Sequence, residues 1–385
     1  MQTMVLLVVI YIAFICLGLP DSLLGSAWPV LHHDLGIPIS YAGFISVTIS
    51  GGTVVSSLLS DRIIKRFGTG VVTLVSVAMT AAALLGFSVS HNLLALCLCA
   101  IPLGIGAGAV DSGLNNYVAL HYKAKHMSWL HCFWGIGASL GPIVMSYSLV
   151  QWQSWNLGYR SIGFMQAALV VALIFSLPLW KKMTDTKGQT PIEEPQVLAK
   201  GQLLKLPRAK QALIAFFCYC AIETTVGLWG SSYLVTVREV AAETAASWIA
   251  MYYFGITFGR FLAGFLTMKF SHKTMVQFGQ LLIGIGIIIL CIPATSSLCI
   301  AGLFLIGLGC APIFPSLLHE TPSNFGSKYS QSMMGMQMAC AYVGTTIVPP
   351  LFGIIGARIG YGVFPAFAGI FLAIMIAMVM GLYKK

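Results

Sequence analysis

What this 385-residue sequence is shortest of is charge: Asp, Glu, Lys and Arg make up only 8% of it, against about a quarter in an ordinary soluble domain. A globule of this length needs a polar skin that so few charged side chains cannot form, which excludes a water-soluble fold. Acids are the scarcer sign, 11 against 21 basic residues. The 58% hydrophobic content excludes a disordered chain. Zinc-type cysteine spacing is missing, as are a phosphate-binding glycine loop and a nucleophile paired with a base outside the apolar runs. An enzyme is therefore disfavoured and no cofactor is expected. The ten cysteines all fall within apolar runs, Cys97, Cys99, Cys218 and Cys220 among them, and read as small hydrophobes.

What the chain has instead is long apolar segments. A hydrocarbon layer ~30 Å thick takes about 20 apolar residues per helical crossing. Segments of that kind occupy 4–28, 39–59, 69–89, 93–118, 127–150, 160–180, 210–235, 245–268, 274–293, 297–318, 330–354 and 361–382. The sequence thus predicts an all-α membrane protein with 12 transmembrane helices. The first segment follows Met1-Gln2-Thr3 without a basic leader and is longer than the apolar part of a signal peptide, so it is expected to be a retained helix.

Basic residues set the expected orientation. Seventeen of the 21 fall in the set of loops that includes Arg62, Lys65, Arg66, Lys123, Lys125 and Lys269, together with the C-terminal Lys384 and Lys385. Arg160, Arg238 and Arg358 fall in the opposite set. Both termini are therefore expected to be cytoplasmic. The excess of cations suits anionic headgroups of a lipid bilayer and calls for no nucleic acid. A monomer in a bacterial cytoplasmic membrane is the expected form.

The longest polar interruption predicts three parts: an N-terminal six-helix bundle over 1–180, a cytoplasmic linker over 181–209, and a C-terminal six-helix bundle over 210–385. The halves resemble each other at an offset of a little over 200 residues. Ile12-Ala13-Phe14 with Asp21 and Gly25 recurs as Ile214-Ala215-Phe216 with Glu223 and Gly227, and Gly104-Ile-Gly106 recurs as Gly307-Leu-Gly309. Such internal symmetry is a property of many secondary transporters, whose two bundles enclose a central cavity.

Ionisable groups inside apolar segments are costly and are functional candidates by default. Here they are Asp21, Asp111, Glu223, His131 and Arg260. Pro20 removes a helical hydrogen bond next to Asp21 and predicts a hinge or unwound point. Gly104, Gly108, Asp111 and Asn115 fall on one helical stripe, with Ser112 and Asn116 on the same turn. A carboxyl in a water-poor cavity can bind a proton near neutral pH, which links protonation to the binding of another solute. An ion pair with Arg260 is the alternative role for Glu223, and a solvated carboxylate at the end of the helix is the alternative for Asp21.

Trp134 stands beside His131 on the fifth segment, and an aromatic face next to amides and carboxyls suits a sugar. Trp28, Trp155 and Trp248 read as interfacial belt residues, while Trp229 fits either role. Gln337 is an amide expected at mid-depth. Pro312, Pro315, Pro349 and Pro350 suggest breakable helices in the second half.

Several motifs carry a family resemblance. Ser57-Leu-Leu-Ser-Asp61-Arg62-Ile-Ile-Lys65-Arg66-Phe-Gly68 resembles the major facilitator superfamily signature G-x-x-x-D-R-x-G-R-[KR], with Ser57 in the place of the first glycine. Within that superfamily the chain resembles the fucose/proton symporter family through Leu19-Pro20-Asp21-Ser22-Leu23, Asp111 to Tyr117, Trp129 to Ala138, Phe217 to Thr224, Phe254 to Arg260 and Ala341 to Gly353. The resemblance implies a major facilitator fold and a monosaccharide importer driven by H+ or Na+. It implies coupling at Asp21 and Asp111 and sugar contact at Asn115, His131 and Trp134, to which the reading of the residues themselves adds Glu223 as a third coupling candidate and Asn116, Gln337 and Trp229 as further candidates for sugar contact. Gating falls to Asp61, Arg62 and Arg260. Asp111 is one methylene shorter than the family's usual Glu, Asn116 stands where Pro is common, and Glu223 stands where some members have an amide. An antiporter exporting a sugar, nucleoside or amphiphilic compound is the alternative, and a membrane sensor without flux is a third reading.

Overall fold

The structure, a computed structural model, describes residues 2–122, 124–184, 203–293 and 296–384. In lipid every backbone polar group must be satisfied within its own segment, so apolar runs of this length become helices. The described residues contain twelve helical segments long and apolar enough to cross a membrane.

In the first half these are α1 (Gln2–Asp21) and α2 (Leu23–Asp34), which make one crossing between them, then α3 (Ala42–Phe67), α4 (Thr69–Phe87), α5 (Leu93–His121), α6 (Ala124–Trp152) and α7 (Trp155–Thr184). The second half has α8 (Ala209–Arg238), α9 (Ala242–Leu266), α10 (His272–Cys291), α11 (Leu298–His319), the short α12 (Thr321–Phe325), α13 (Ser327–Ile359) and α14 (Phe364–Leu382). Contacts divide the chain into two compact units, Met1–Gln189 with Val240–Ala250, and Thr190–Glu239 with Met251–Lys385. Most of the linker expected over 181–209 lies outside the described residues.

Inside each unit, glycine determines which helices touch. In the first, α5 is wedged between two neighbours: a Cβ on Gly104 would overlap the Ile49 carbonyl of α3, and one on Gly106 would meet the Ser76 carbonyl of α4. Thr53 Oγ1 donates to Gly104 O at 3.2 Å, and Ser57 Oγ donates to Gly108 O at 3.2 Å. Ser57, which replaces the signature's first glycine, thus ties α3 to α5 by a side-chain bond. In the second unit Gly307 of α11 abuts the Tyr252 carbonyl of α9, and Gly309 abuts the Gly279 carbonyl of α10. The repeated Gly-x-Gly pairs therefore do one job twice. Small residues are what let backbones approach in lipid, where no hydrophobic drive separates helix from solvent.

Three expectations need correction. Trp28 and Trp155 are not belt residues: they are 0% and 2% exposed. Their indole N–H groups go to Ile39 O and to Asp34 Oδ2 at 2.9 Å, which anchors the loop end of the first unit. The sixth crossing begins at Trp155 rather than 160. Finally, α11 and α13 run without interruption through Pro312, Pro315, Pro349 and Pro350.

Candidate functional site

Among the described residues the first crossing is interrupted within its span. α1 ends at Asp21, Ser22 makes a turn with φ −101° and ψ −7°, and α2 begins at Leu23. Ser26 Oγ donates to Ser22 O at 2.7 Å and holds the turn. The hinge expected from Pro20 is thus present, and it leaves Asp21 on the last residue of α1, exposed in the structure.

Close packing brings Trp134 to that carboxylate. A Cβ on Gly18 would overlap the Trp134 carbonyl, one on Gly137 would overlap the Ile15 carbonyl, and one on Gly141 would meet the Leu19 carbonyl. With α1 and α6 in backbone contact, Trp134 reaches along α1 from Gly18, and its Nε1 donates to Asp21 Oδ2 at 2.8 Å. His131, one turn earlier on α6, sets its ring edge-on to the buried Phe14, with centroids 6.2 Å apart. Tyr11 lies further along α1, where it stacks on Phe133 and meets His126 Nδ1 at 2.8 Å.

The α5 stripe gives a second polar cluster in the same unit. Once Gly104 and Gly108 seat α5 against α3, Asn115 Nδ2 donates to both the carboxyl Oδ1 and the backbone O of Asp111, each at 2.9 Å. Asn115 Oδ1 is buried and has no hydrogen-bond partner among the described residues. An acceptor in that position is matched by a donor such as a hydroxyl. Pro20 and Val110, the residues just before Asp21 and Asp111, line one small cavity together with Thr80 and Gln166. The side chains of Asn116, Ser112, Asp61 and Arg62 lie outside the described residues.

In the second unit Glu223 Oε1 lies 3.4 Å from an Arg260 guanidinium nitrogen, with the two side chains 19% and 17% exposed. Glu223, expected as a third coupling acid, is in the ion pair that was its alternative reading. Tyr252 OH donates to the Glu223 backbone O at 2.9 Å and ties α9 to α8 at the same level. Trp229 is 0% exposed, donates to Pro349 O at 2.8 Å and packs among Phe352 and Tyr361, so it presents no face to a ligand. Gln337 lies in the first half of α13, 1% exposed, and accepts from Thr321 Oγ1 at 2.9 Å, so its amide joins α13 to the short α12.

Sequence reasoning passed over Gln166 and Thr80, which are uncharged yet buried at the hinge. The signal that points to them is Pro20 itself, because a proline in a helix leaves a carbonyl that needs a donor from elsewhere.

Twelve crossings, a broken first helix and carboxyls bonded to an indole and an amide within one bundle define a secondary-transporter type of membrane protein. The chain belongs to the Major Facilitator Superfamily, whose sequence profile matches residues 10–247 and again 238–385. Among its relatives is Bypass of stop codon protein 6 of Saccharomyces cerevisiae, 24% identical over 401 positions that cover 94% of this chain and 79% of the relative. Another is the glucose/mannose transporter GlcP of Bacillus subtilis, 23% identical over 359 positions that cover 89% and 86%. The fold matches a crystal structure of a D-xylose-proton symporter at a TM-score of 0.78 and 13% identity, over 100% of this chain and 98% of that one. It matches a mutant of the nucleoside transporter NupG at 0.78 and 13%, over 98% and 99%. GlcP and the two matched structures carry the names of transporters rather than of enzymes.

Proposed function

We propose that the protein imports a monosaccharide, a hexose or deoxyhexose such as fucose, glucose or galactose, by alternating access coupled to a cation gradient, with H+ as the cation. The observation that carries this reading is the hydrogen bond from Trp134 Nε1 to Asp21 Oδ2 at the break in the first crossing. It couples an aromatic face, on which the C–H face of a sugar can pack, to a carboxylate that can change protonation state. Asn115 Oδ1 supplies a buried acceptor for a sugar hydroxyl, and Asp111 beside it is the second coupling acid. His131 lies on the face of α6 that meets α1 and completes the sugar-facing set. Glu223 and Arg260 serve as a paired element of the second bundle that maintains its geometry. The name of the GlcP relative and the motifs that resemble the fucose/proton symporter family support a sugar as the solute.

The asymmetry of basic loops supports cytoplasmic termini and a cell-surface membrane, the bacterial cytoplasmic membrane where the host is bacterial. An exporter of a sugar or nucleoside by antiport is the second reading, because the fold matches the nucleoside transporter NupG as well as it matches the xylose symporter. Purified protein in liposomes tests both. Labelled hexose should enter and concentrate when an inward pH gradient is imposed, and should not when the gradient is collapsed. Concentration driven by Na+ alone would replace the coupling ion, and sugar release driven by inward protons would favour the antiporter.

A further inference from the structure

Pro20 has no backbone N–H, so the carbonyl four residues earlier, that of Cys16, loses its helical donor. In a lipid-embedded bundle that carbonyl must find another. It finds the side chain of Gln166 on α7, whose Nε2 donates to Cys16 O at 2.8 Å. The other end of the same amide, Oε1, accepts from the Thr80 hydroxyl of α4. The orientation is chemically fixed, because a carbonyl can only accept and the NH2 end must therefore face Cys16. Gln166 is 1% exposed and Thr80 is also buried, so water does not compete for either bond. One amide thus joins α1, α4 and α7 at the level of the hinge. The small cavity beside it is lined by the residues that precede Asp21 and Asp111.

We propose that Gln166 is a positioning residue for Asp21: its amide stands in for the backbone bond that Pro20 removes, and so fixes the end of α1 at which Asp21 faces Trp134. Asp21 itself, and not Gln166, meets the solute or the proton. The inference rests on the coupling role given to Asp21 above. It predicts a dependence that simple packing would not produce, namely that Gln166 matters only while residue 20 is proline.

The test is a cycle of Gln166→Leu, Pro20→Ala and the double variant in the full-length protein, with two readouts. The first is hydrogen–deuterium exchange of the backbone amides of residues 21–26. Gln166→Leu should speed it about tenfold, the scale of one lost buried hydrogen bond. The second is the ratio of proton-driven accumulation to counterflow exchange, which should fall about as much while counterflow persists. In the Pro20→Ala background the restored N–H bonds Cys16 O, so adding Gln166→Leu should change both readouts by less than about twofold. Equal effects of Gln166→Leu in the two backgrounds would overturn the proposal. If Gln166→Leu alone fails to fold, the double variant should fold, and its failure would overturn the proposal too. Asp21→Asn separates the two layers: normal accumulation by that variant, with the exchange cycle intact, would remove Asp21 from coupling and leave the hinge contact standing.

Discussion

Neutralising Glu223 should cost the second bundle stability, and removing its partner's charge as well should give most of it back. The Glu223–Arg260 separation is 3.4 Å. At an effective dielectric of about 20 that distance corresponds to an attraction of about 5 kcal/mol, much of which offsets the desolvation of the two groups. Truncating one side of a buried pair strands the other charge, at a cost of 3–5 kcal/mol in fully buried cases. Because each side chain keeps somewhat under a fifth of its surface exposed, about 2–3 kcal/mol is the appropriate scale for Glu223→Gln. That corresponds to a fall of roughly 5–10 °C in the unfolding midpoint. Arg260→Met alone should cost a similar amount, and the combination of Glu223→Gln with Arg260→Met should recover at least half of the loss. Thermal unfolding of detergent-purified variants measures the three shifts, and proteoliposome uptake of labelled hexose measures function. The double variant is expected to accumulate sugar. Additive destabilisation would refute the argument that the pair holds the bundle. A stable double variant that equilibrates sugar but never concentrates it would make Glu223 a coupling group in its own right.

Asp111→Asn keeps the shape of the α5 cluster but removes the ionisable group, so proton-driven accumulation should vanish while some equilibrium exchange persists; normal accumulation would remove Asp111 from the mechanism. Trp134→Ala takes away both the aromatic face and the N–H that Asp21 accepts, and hexose affinity in a binding assay should fall at least about tenfold with little change in thermal stability. Gly104→Ala must displace the Ile49 carbonyl of α3 and should cost about 1–3 kcal/mol. Gly51→Ala on α3 meets nothing within 4 Å and should be neutral or slightly stabilising, so equal effects at the two positions would contradict the wedge.

The crossings are legible in the sequence because lipid makes one demand, an unbroken apolar run, that few other environments make. The break after Asp21 is legible because Pro20 cannot donate a hydrogen bond whatever surrounds it. What Pro20 does not reveal is the donor that replaces its own: Gln166 lies 150 positions from Cys16, and only the packing of α7 against α1 brings the two together. Trp28 and Trp155 illustrate the converse limit. A tryptophan near a helix end suits the interfacial belt and the interior of a bundle equally well by composition, and the deciding factor is whether a carbonyl or carboxylate of the same bundle is in reach of its N–H. For Gln337 the sequence shows an amide in an apolar run but not its partner, Thr321, which the short α12 supplies.

The two halves repeat a carboxyl at equivalent points, Asp21 and Glu223, yet give it different partners. Asp21 accepts a neutral indole N–H. Glu223 faces a guanidinium. When a carboxylate bonded to an indole takes up a proton, the indole carries no charge to be stranded, and the acid still offers a carbonyl oxygen as acceptor. When a carboxylate paired with arginine does so, it takes from the guanidinium its oppositely charged neighbour, which is costly where both are largely buried. A residue that must change charge once per transport cycle belongs in the first setting, and a residue that must keep a bundle in one shape belongs in the second. The glycine wedges, Gly104 and Gly106 in one half and Gly307 and Gly309 in the other, remain alike because both bundles have to pack. The acids differ in their setting, and on the function proposed above it is the first bundle, with its interrupted helix, Trp134 and the Asn115 oxygen that has no hydrogen-bond partner among the described residues, whose groups a sugar and a proton would share.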